Sequence, residues 1–254
     1  MLLAIDVGNT QTVLGLFEGD ALRASWRLHS DRSRTADELG LMVHDLLERD
    51  GHDTATIDGA VVGSVVPPLT GTVREMLRRV LKTPPLVVDH TVVLPLRLAV
   101  REPSQLGADR IANAVAARAL HGTPVIVVDL GTATTFDVVS EDGAYLGGVI
   151  APGPMASQES LVGRTSRLTR VDLVAPQAVI GRTTEEAMRS GLMWGTAAAI
   201  DGIVRLIWRE LGGRSRVIAT GGDAPGIIAL TETVGTVEPE LTLVGLRLVY
   251  EANS

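Results

Sequence analysis

Leu3-Ala4-Ile5-Asp6-Val7-Gly8-Asn9-Thr10-Gln11-Thr12 returns 123 residues later as Ile126-Val127-Val128-Asp129-Leu130-Gly131-Thr132-Ala133-Thr134-Thr135. In that register Asp6 matches Asp129, Gly8 matches Gly131 and Thr12 matches Thr135. Each copy is an apolar run ending in Asp-x-Gly, then a second apolar run, then a turn: Glu18-Gly19-Asp20 in one, Glu141-Asp142-Gly143 in the other. A third run follows each turn. Apolar runs punctuated by Gly-containing turns read as strand, hairpin, strand, turn, strand. Two copies half a chain apart predict two similar α/β halves, residues 1–121 and 122–254, joined around His121-Gly122-Thr123-Pro124.

Outward from the hairpins the period changes to helical. Thr35-Ala36-Asp37-Glu38 has the form of a capping box, with Leu39, Val43, Leu46 and Leu47 on one face behind it. Ala60 to Val66 reads as a buried strand stopped by Pro67-Pro68, followed by a helix over Leu69 to Leu81; Leu86-Val87-Val88 reads as a strand. A helix is expected from near Gln105, with Ile111, Ala114, Val115 and Ala119 apolar. Arg182 to Leu211 is the longest helix expected, capped by Thr183 and Glu186. Val217-Ile218-Ala219 is a strand running into Gly221-Gly222, and Leu241 to Tyr250 a closing helix.

Composition narrows the function classes. The chain has 254 residues, 23 basic against 30 acidic side chains and a net charge of −7. Without a basic excess, neither nucleic acid nor an anionic membrane is an expected partner. Cysteine is absent, which removes disulfides, thiolate metal sites and Cys nucleophiles and fits a cytoplasmic location. Met1 to Asp6 lacks the basic start of a signal peptide. The most apolar long window, Gly191 to Trp208, holds Asp201 and Arg205, spaced to pair at i+4, and reads as a buried helix rather than a membrane span. The five histidines share no metal spacing and read as surface or loop residues.

The chemistry lies in the glycine turns. A carboxylate at the end of a buried strand is costly unless it is paired or holds a cation. The glycine that follows allows a tight turn and brings backbone N–H groups to a ligand. One Asp-x-Gly-x-Thr is an ordinary hairpin; two facing copies would form a cleft for a polyphosphate and its metal. Ala219-Thr220-Gly221-Gly222-Asp223-Ala224 lets a flat nucleoside lie against backbone. No Gly-x4-Gly-Lys-Ser/Thr loop exists, nor Gly-x-Gly-x-x-Gly after a strand, so any nucleotide site is of another kind.

These pieces resemble the actin-like ATPase superfamily, which implies an α/β fold of two duplicated ribonuclease-H-like domains with a central cleft. Along nearly its whole length the chain is similar to type III pantothenate kinases. The resembling residues are Asp6-Val7-Gly8-Asn9-Thr10, Gly107-Ala108-Asp109-Arg110, Asp129 to Thr135, Gly147-Gly148-Val149-Ile150-Ala151-Pro152-Gly153, Ile180 to Glu185 and Ala219-Thr220-Gly221-Gly222. The resemblance implies ATP-dependent phosphorylation of the primary hydroxyl of pantothenate, the first step toward coenzyme A, with Asp109 as general base. It implies pantothenate contacts at Val100, Gly107, Ala108, Asp109, Arg110 and Thr184. It implies ATP contacts at Asp6, Val7, Gly8, Asn9, Thr10, Gln11, Thr12, Val13, Thr132, Gly221 and Gly222. Asp6 is expected to hold Mg2+, and Asp129 a monovalent cation, potassium or ammonium. A homodimer is the expected assembly, with Met188, Leu192, Ala199 and Ile203 on a stripe facing either the core or the second subunit.

Asp109 is expected where a helix begins, among N–H groups that favour its ionised form. The chain departs from the family pattern at Val100, where Tyr is common, and at Glu102, where Asn is common. It departs again at Thr183 and Thr169, which replace Asn and Pro. Two other readings use the same architecture. One is a non-catalytic regulator, against which Asp6, Asp109, Arg110 and Asp129 all stand. The other is a kinase for a sugar or acid, against which Gly107 to Arg110 stand.

Overall fold

In the computed structural model, which describes residues 1–81 and 84–254, the sequence repeat is a repeat of topology. β1 (Leu2–Val7), β2 (Gln11–Glu18) and β3 (Ala21–His29) form an antiparallel meander. β4 (Gly59–Ser64) pairs in parallel with β1, and β5 (Leu86–Val87) with β4, giving the order β3-β2-β1-β4-β5. β6 (Arg97–Leu98) edges a second sheet built from β7 (Val125–Leu130), β8 (Ala133–Val139), β9 (Ala144–Pro152), β10 (Arg216–Thr220) and β11 (Thr236–Val237). Its order, β11-β10-β7-β8-β9-β6, is that of the first sheet strand for strand, plus one edge strand.

The copies differ by one residue at the hairpin. Asp6 pairs with Val13, and Asp129 with Thr135. The first loop is therefore one residue longer, and Thr135 occupies the ladder position of Val13 rather than that of its sequence match Thr12.

By contacts the chain divides into two compact units. The first is Met1–Arg97 with Arg101–Ala116 and Leu241–Ser254; the second is Leu98–Val100 with Ala117–Glu240. In the first unit, alternation along β1 sends Leu3, Ile5 and Val7 to one face. There they join Leu39, Val43 and Leu47 of α1 (Ala36–Arg49) and Leu69, Val73, Met76 and Leu77 of α2 (Pro67–Val80) in one buried cluster. Thr35 and Glu38 form the expected capping box on α1. The opposite face of β1 and β4 is covered by the C-terminal helix, and a Cβ on Gly63 would stand 2.8 Å from Leu246.

α3 (Ala108–His121) starts three residues later than the spacing predicts, because Pro103–Gln105 form a separate 3-10 turn. In the second unit, α4 (Pro154–Arg164) follows β9, and α5 (Thr184–Leu211) is capped by Thr183 and ended by left-handed Gly212 at φ 75°. α5 and α6 (Ala224–Ile228) bury Met193, Ala197, Ile200, Val204 and Ile227 against Ile126, Val128, Leu130 and Phe136. The expected stripe on α5 splits: Met188 and Leu192 are buried, Ile203 packs at the sheet core and Ala199 is exposed.

Asp201 lies 3.8 Å from Arg205, and its carboxylate also accepts from the backbone N–H of Glu232 and Thr233 and from the Thr233 hydroxyl. A buried carboxylate in mid-helix is thus satisfied by a loop. His121 is no loop residue: it ends α3 with its ring 3.2 Å from Glu238. α7 (Leu241–Glu251) closes the chain as a helix of the first unit. Among the described residues no helix is long and apolar enough to cross a membrane.

Candidate active site

The first unit carries one half of the predicted residues. Asp6 is the penultimate residue of β1, on the face opposite Ile5 and Val7, and its parallel neighbour is Gly63. A Cβ on Gly63 would lie 3.5 Å from the Ala108 side chain. Val65, just past β4, donates its N–H to the Val7 carbonyl at 3.1 Å, and its Cγ1 lies 3.1 Å from where a Cβ of Gly107 would stand. The end of β4 therefore joins the Asp6 hairpin to the segment Gly107 to Arg110.

In the hairpin, Gly8 N–H donates to the Gln11 carbonyl at 3.0 Å, leaving Asn9, Thr10 and Gln11 exposed. Val7 is fully buried in the core and Val13 half-buried. Thr12 is buried, with its hydroxyl 2.9 Å from that of Ser30. The loop thus presents Asn9, Thr10 and Gln11 to solvent beside the half-buried Asp6.

Asp109 stands in the first turn of α3 and accepts from the Arg110 N–H at 2.8 Å. Burial pushes its carboxyl above the usual carboxylate range; the Arg110 N–H and guanidinium pull it down, and burial wins. The N–H groups of the helix start do favour the ionised form as expected, but burial outweighs them, so the net shift is upward. The start is packed against β4, and lost hydration exceeds what the backbone amides return. Gly107 shapes the same carboxylate, because a Cβ there would collide with Asp109 Oδ1. Gly107→Ala is expected to turn the carboxylate aside and lower kcat by about 100-fold with the melting temperature nearly kept. Steady-state turnover and thermal melts check this, and undiminished turnover would refute it.

The second unit carries the other half. Asp129 sits at the matching position of β7, and Thr132 is exposed at the hairpin tip. Gly153 N–H donates to the Thr132 carbonyl at 3.2 Å, and a Cβ on Gly153 would stand 2.7 Å from that oxygen. Gly221, at φ +98°, lies against the Leu130 carbonyl, and its Cβ would stand 2.7 Å from Asp129 Oδ1. The Gly221-Gly222 turn is thus built onto the Asp129 strand end.

Thr184, the first residue of α5, lines an apolar cavity of about 680 Å³ with Pro152, Ala156, Leu161, Met188 and Leu192. Val100 packs elsewhere, against Gly147, five residues along β9 from Pro152 and so about 17 Å from the hairpin end. Gly153 and Asp223 join these residues without a role expected from their motifs. Asp223 follows the paired glycines and donates its N–H to the Leu130 carbonyl at 3.3 Å; burial pushes its carboxyl up. Its place in the turn was visible, but its burial follows only from the fold.

Cation chemistry fits these groups. Among the described residues no three or more His, Asp and Glu side chains gather into a metal cage. Mg2+ commonly takes one or two carboxylates and fills its remaining positions with water and phosphate oxygens. Asp6, beside an open backbone hairpin, matches that donor set. At Asp129 a Cβ on Gly221 would stand against the carboxylate, and only glycine lets the turn approach that oxygen so closely.

The family model described as Type III pantothenate kinase matches residues 2–206. A type III pantothenate kinase of Moorella thermoacetica is 47% identical over 254 residues, covering 100% of both chains. That of Roseiflexus sp. (strain RS-1) is 47% identical over 253 residues, covering 100% of this chain and 99% of its own. Among solved structures, a Baf family protein of Campylobacter jejuni superposes with TM-score 0.62 at 19% identity, covering 99% of this chain and 98% of its own. Component A of (R)-2-hydroxyglutaryl-CoA dehydratase from Acidaminococcus fermentans gives 0.60 at 13% identity, covering 100% and 99%. At those identities the structures speak to the fold alone, a mixed α/β fold of two duplicated ribonuclease-H-like domains.

Proposed function

Since this chain belongs to the type III pantothenate kinase family, we propose that Asp109 is the general base of its ATP-dependent phosphorylation of pantothenate. The observation that carries the assignment is the Asp109 carboxylate, partly desolvated and held at the same strand ends as the Asp6 hairpin. The primary hydroxyl oxygen of pantothenate forms a bond to the γ-phosphorus of ATP while the bond to the β–γ bridging oxygen breaks. ADP leaves, and the hydroxyl proton passes to Asp109. An alcohol gives up its proton late, so Asp109 mainly orients the oxygen.

Asp6 to Val13 form the first phosphate loop, chiefly through backbone N–H groups and the side chains of Asp6, Asn9 and Thr10. Thr132 and the Gly221-Gly222 turn are further ATP contacts. Arg110 clamps an anion, the pantothenate carboxylate or the moving phosphoryl group. Gly107 and Ala108 shape that contact, while Val100 and Thr184 touch the rest of the substrate. Bound Mg2+ and potassium or ammonium neutralise phosphate charge; Asp6 is the residue to hold the former and Asp129 the latter. The working form is a cytoplasmic homodimer.

Purified protein given ATP, Mg2+, potassium and pantothenate is expected to yield 4'-phosphopantothenate by mass detection. A folded protein yielding none under any cation condition overturns the reading. Exchanging potassium for sodium is expected to raise the KM for ATP, and an unchanged KM and kcat would remove Asp129 from its cation role.

A further inference from the structure

Beyond these residues, we propose that Arg32 is a catalytic residue that binds the terminal phosphates of ATP at the first hairpin. The inference rests on reading that hairpin as a phosphate loop. Its support is a segment fastened to the loop and carrying one cation with no anionic partner.

The last residue of β3, His29, pairs with Gln11 at the start of β2, so the chain leaving β3 runs past the hairpin. Ser30 N–H donates to the Thr10 carbonyl at 3.0 Å, and the Ser30 and Thr12 hydroxyls meet at 2.9 Å in a buried contact. Asp31 is occupied within its own turn, accepting from the Ser33 N–H at 2.9 Å and the Ser33 hydroxyl at 2.7 Å. Arg34 has anionic neighbours, its charge helping to lower the carboxyls of Asp31 and Glu38, and it donates to the His29 carbonyl at 3.4 Å. Arg32 alone in this turn reaches the loop tip, where its Nη2 donates to Asn9 Oδ1 at 3.4 Å.

That bond is long and its acceptor neutral. Among the described residues Arg32 makes no ion pair, unlike Arg23 with Glu18 or Arg79 with Glu75. A guanidinium forms shorter, stronger and often bidentate bonds to phosphate oxygens, which therefore displace a neutral amide. The need for such a group is acute here. The chain carries net charge −7, and its single lysine, Lys82, lies in neither hairpin. Phosphoryl transfer spreads negative charge over the terminal oxygens, and a cation already tethered within reach stabilises that charge with little reorganisation.

The test compares Arg32→Gln, Arg32→Lys and, for the loop itself, Gly8→Ala, whose new Cβ would stand 2.9 Å from the Gln11 carbonyl. Arg32→Gln is expected to lower kcat/KM for ATP by about 10- to 100-fold, with the KM for pantothenate within about twofold of wild type. Arg32→Lys is expected to recover part of the loss. Calorimetric titration should show weaker ADP binding and unchanged AMP binding in Arg32→Gln, a split that a merely structural role would not produce. If Gly8→Ala impairs ATP kinetics and Arg32→Gln does not, or if ADP and AMP weaken alike, Arg32 has no phosphate role while the loop reading stands. If Gly8→Ala leaves ATP kinetics untouched, the loop reading fails and the Arg32 proposal falls with it.

Discussion

Asp109→Asn is expected to reduce kcat by about 10²- to 10⁴-fold, the usual contribution of a positioned base, and to leave the melting temperature at neutral pH unchanged or raised. The two effects share a cause. Burial raises the carboxyl of Asp109 above its unfolded value, so at neutral pH the ionised group opposes folding. That opposition fades as pH falls through the folded value, where the group takes up its proton in the folded protein. Asparagine carries no charge to desolvate and still offers an oxygen to the Arg110 N–H.

The pH dependence of kcat/KM for pantothenate carries the same signature. Activity should decline on acidification at a midpoint above the ordinary carboxylate range, and Asp109→Asn should remove that limb from whatever turnover remains. Rate profiles with paired thermal melts check both. A variant with wild-type turnover, or one that melts several degrees lower, would contradict the assignment.

Gly221→Ala is expected to be the most damaging single methyl in the second unit. Its φ of +98° is strained for any L side chain, and the added carbon would meet the Leu130 carbonyl and stand 2.7 Å from Asp129 Oδ1. Left-handed strain and overpacking each cost about 1–3 kcal/mol, so a loss of roughly 2–6 kcal/mol is expected in denaturant unfolding. In protein that still folds, the KM for ATP should rise and the response to potassium should weaken, because the displaced turn is the one built onto Asp129. Gly222→Ala is the contrast: nothing stands within 4 Å of its Cβ, and its stability should stay near wild type. Equal stability for the two variants would refute the steric account.

Much of this could be read from the chain itself, and for a physical reason. Alternating apolar runs with Asp-x-Gly turns specify strands and hairpins locally, and a duplicated local code implies a duplicated topology. The shared strand order of the two sheets bears that out. Thr35 and Glu38 likewise form their capping box from neighbours in sequence.

What stayed hidden depends on depth and distance. One extra residue in the first loop barely alters its likeness to the second, yet it moves Thr12 off the position Thr135 holds. A helix is expected from near Gln105, but its start at Ala108, after the separate turn of Pro103–Gln105, and the desolvation of Asp109 against β4 both depend on the fold. Ser30-Asp31-Arg32-Ser33-Arg34 reads as a solvated charged turn until β3 is paired with β2. The amphipathic pattern of α7 says that one face is covered and cannot name strands more than 170 residues earlier as its cover.

That last placement bears on how the protein is made. α7 belongs to the unit that contains β1, so the sheet of β1 to β5 lacks one of its covering layers until a segment translated about 150 residues after β5 follows. Between Ala116 and Leu241 about 120 residues must be translated, some 6–25 s at ordinary elongation rates. Throughout that interval the face of β1 and β4 awaiting Leu246 is open to solvent and to other nascent chains. The second unit is contiguous from Ala117 to Glu240 apart from Leu98–Val100, and it is complete first. The first unit is therefore the later of the two to mature, and its uncovered sheet is the surface most open to wrong association in that interval.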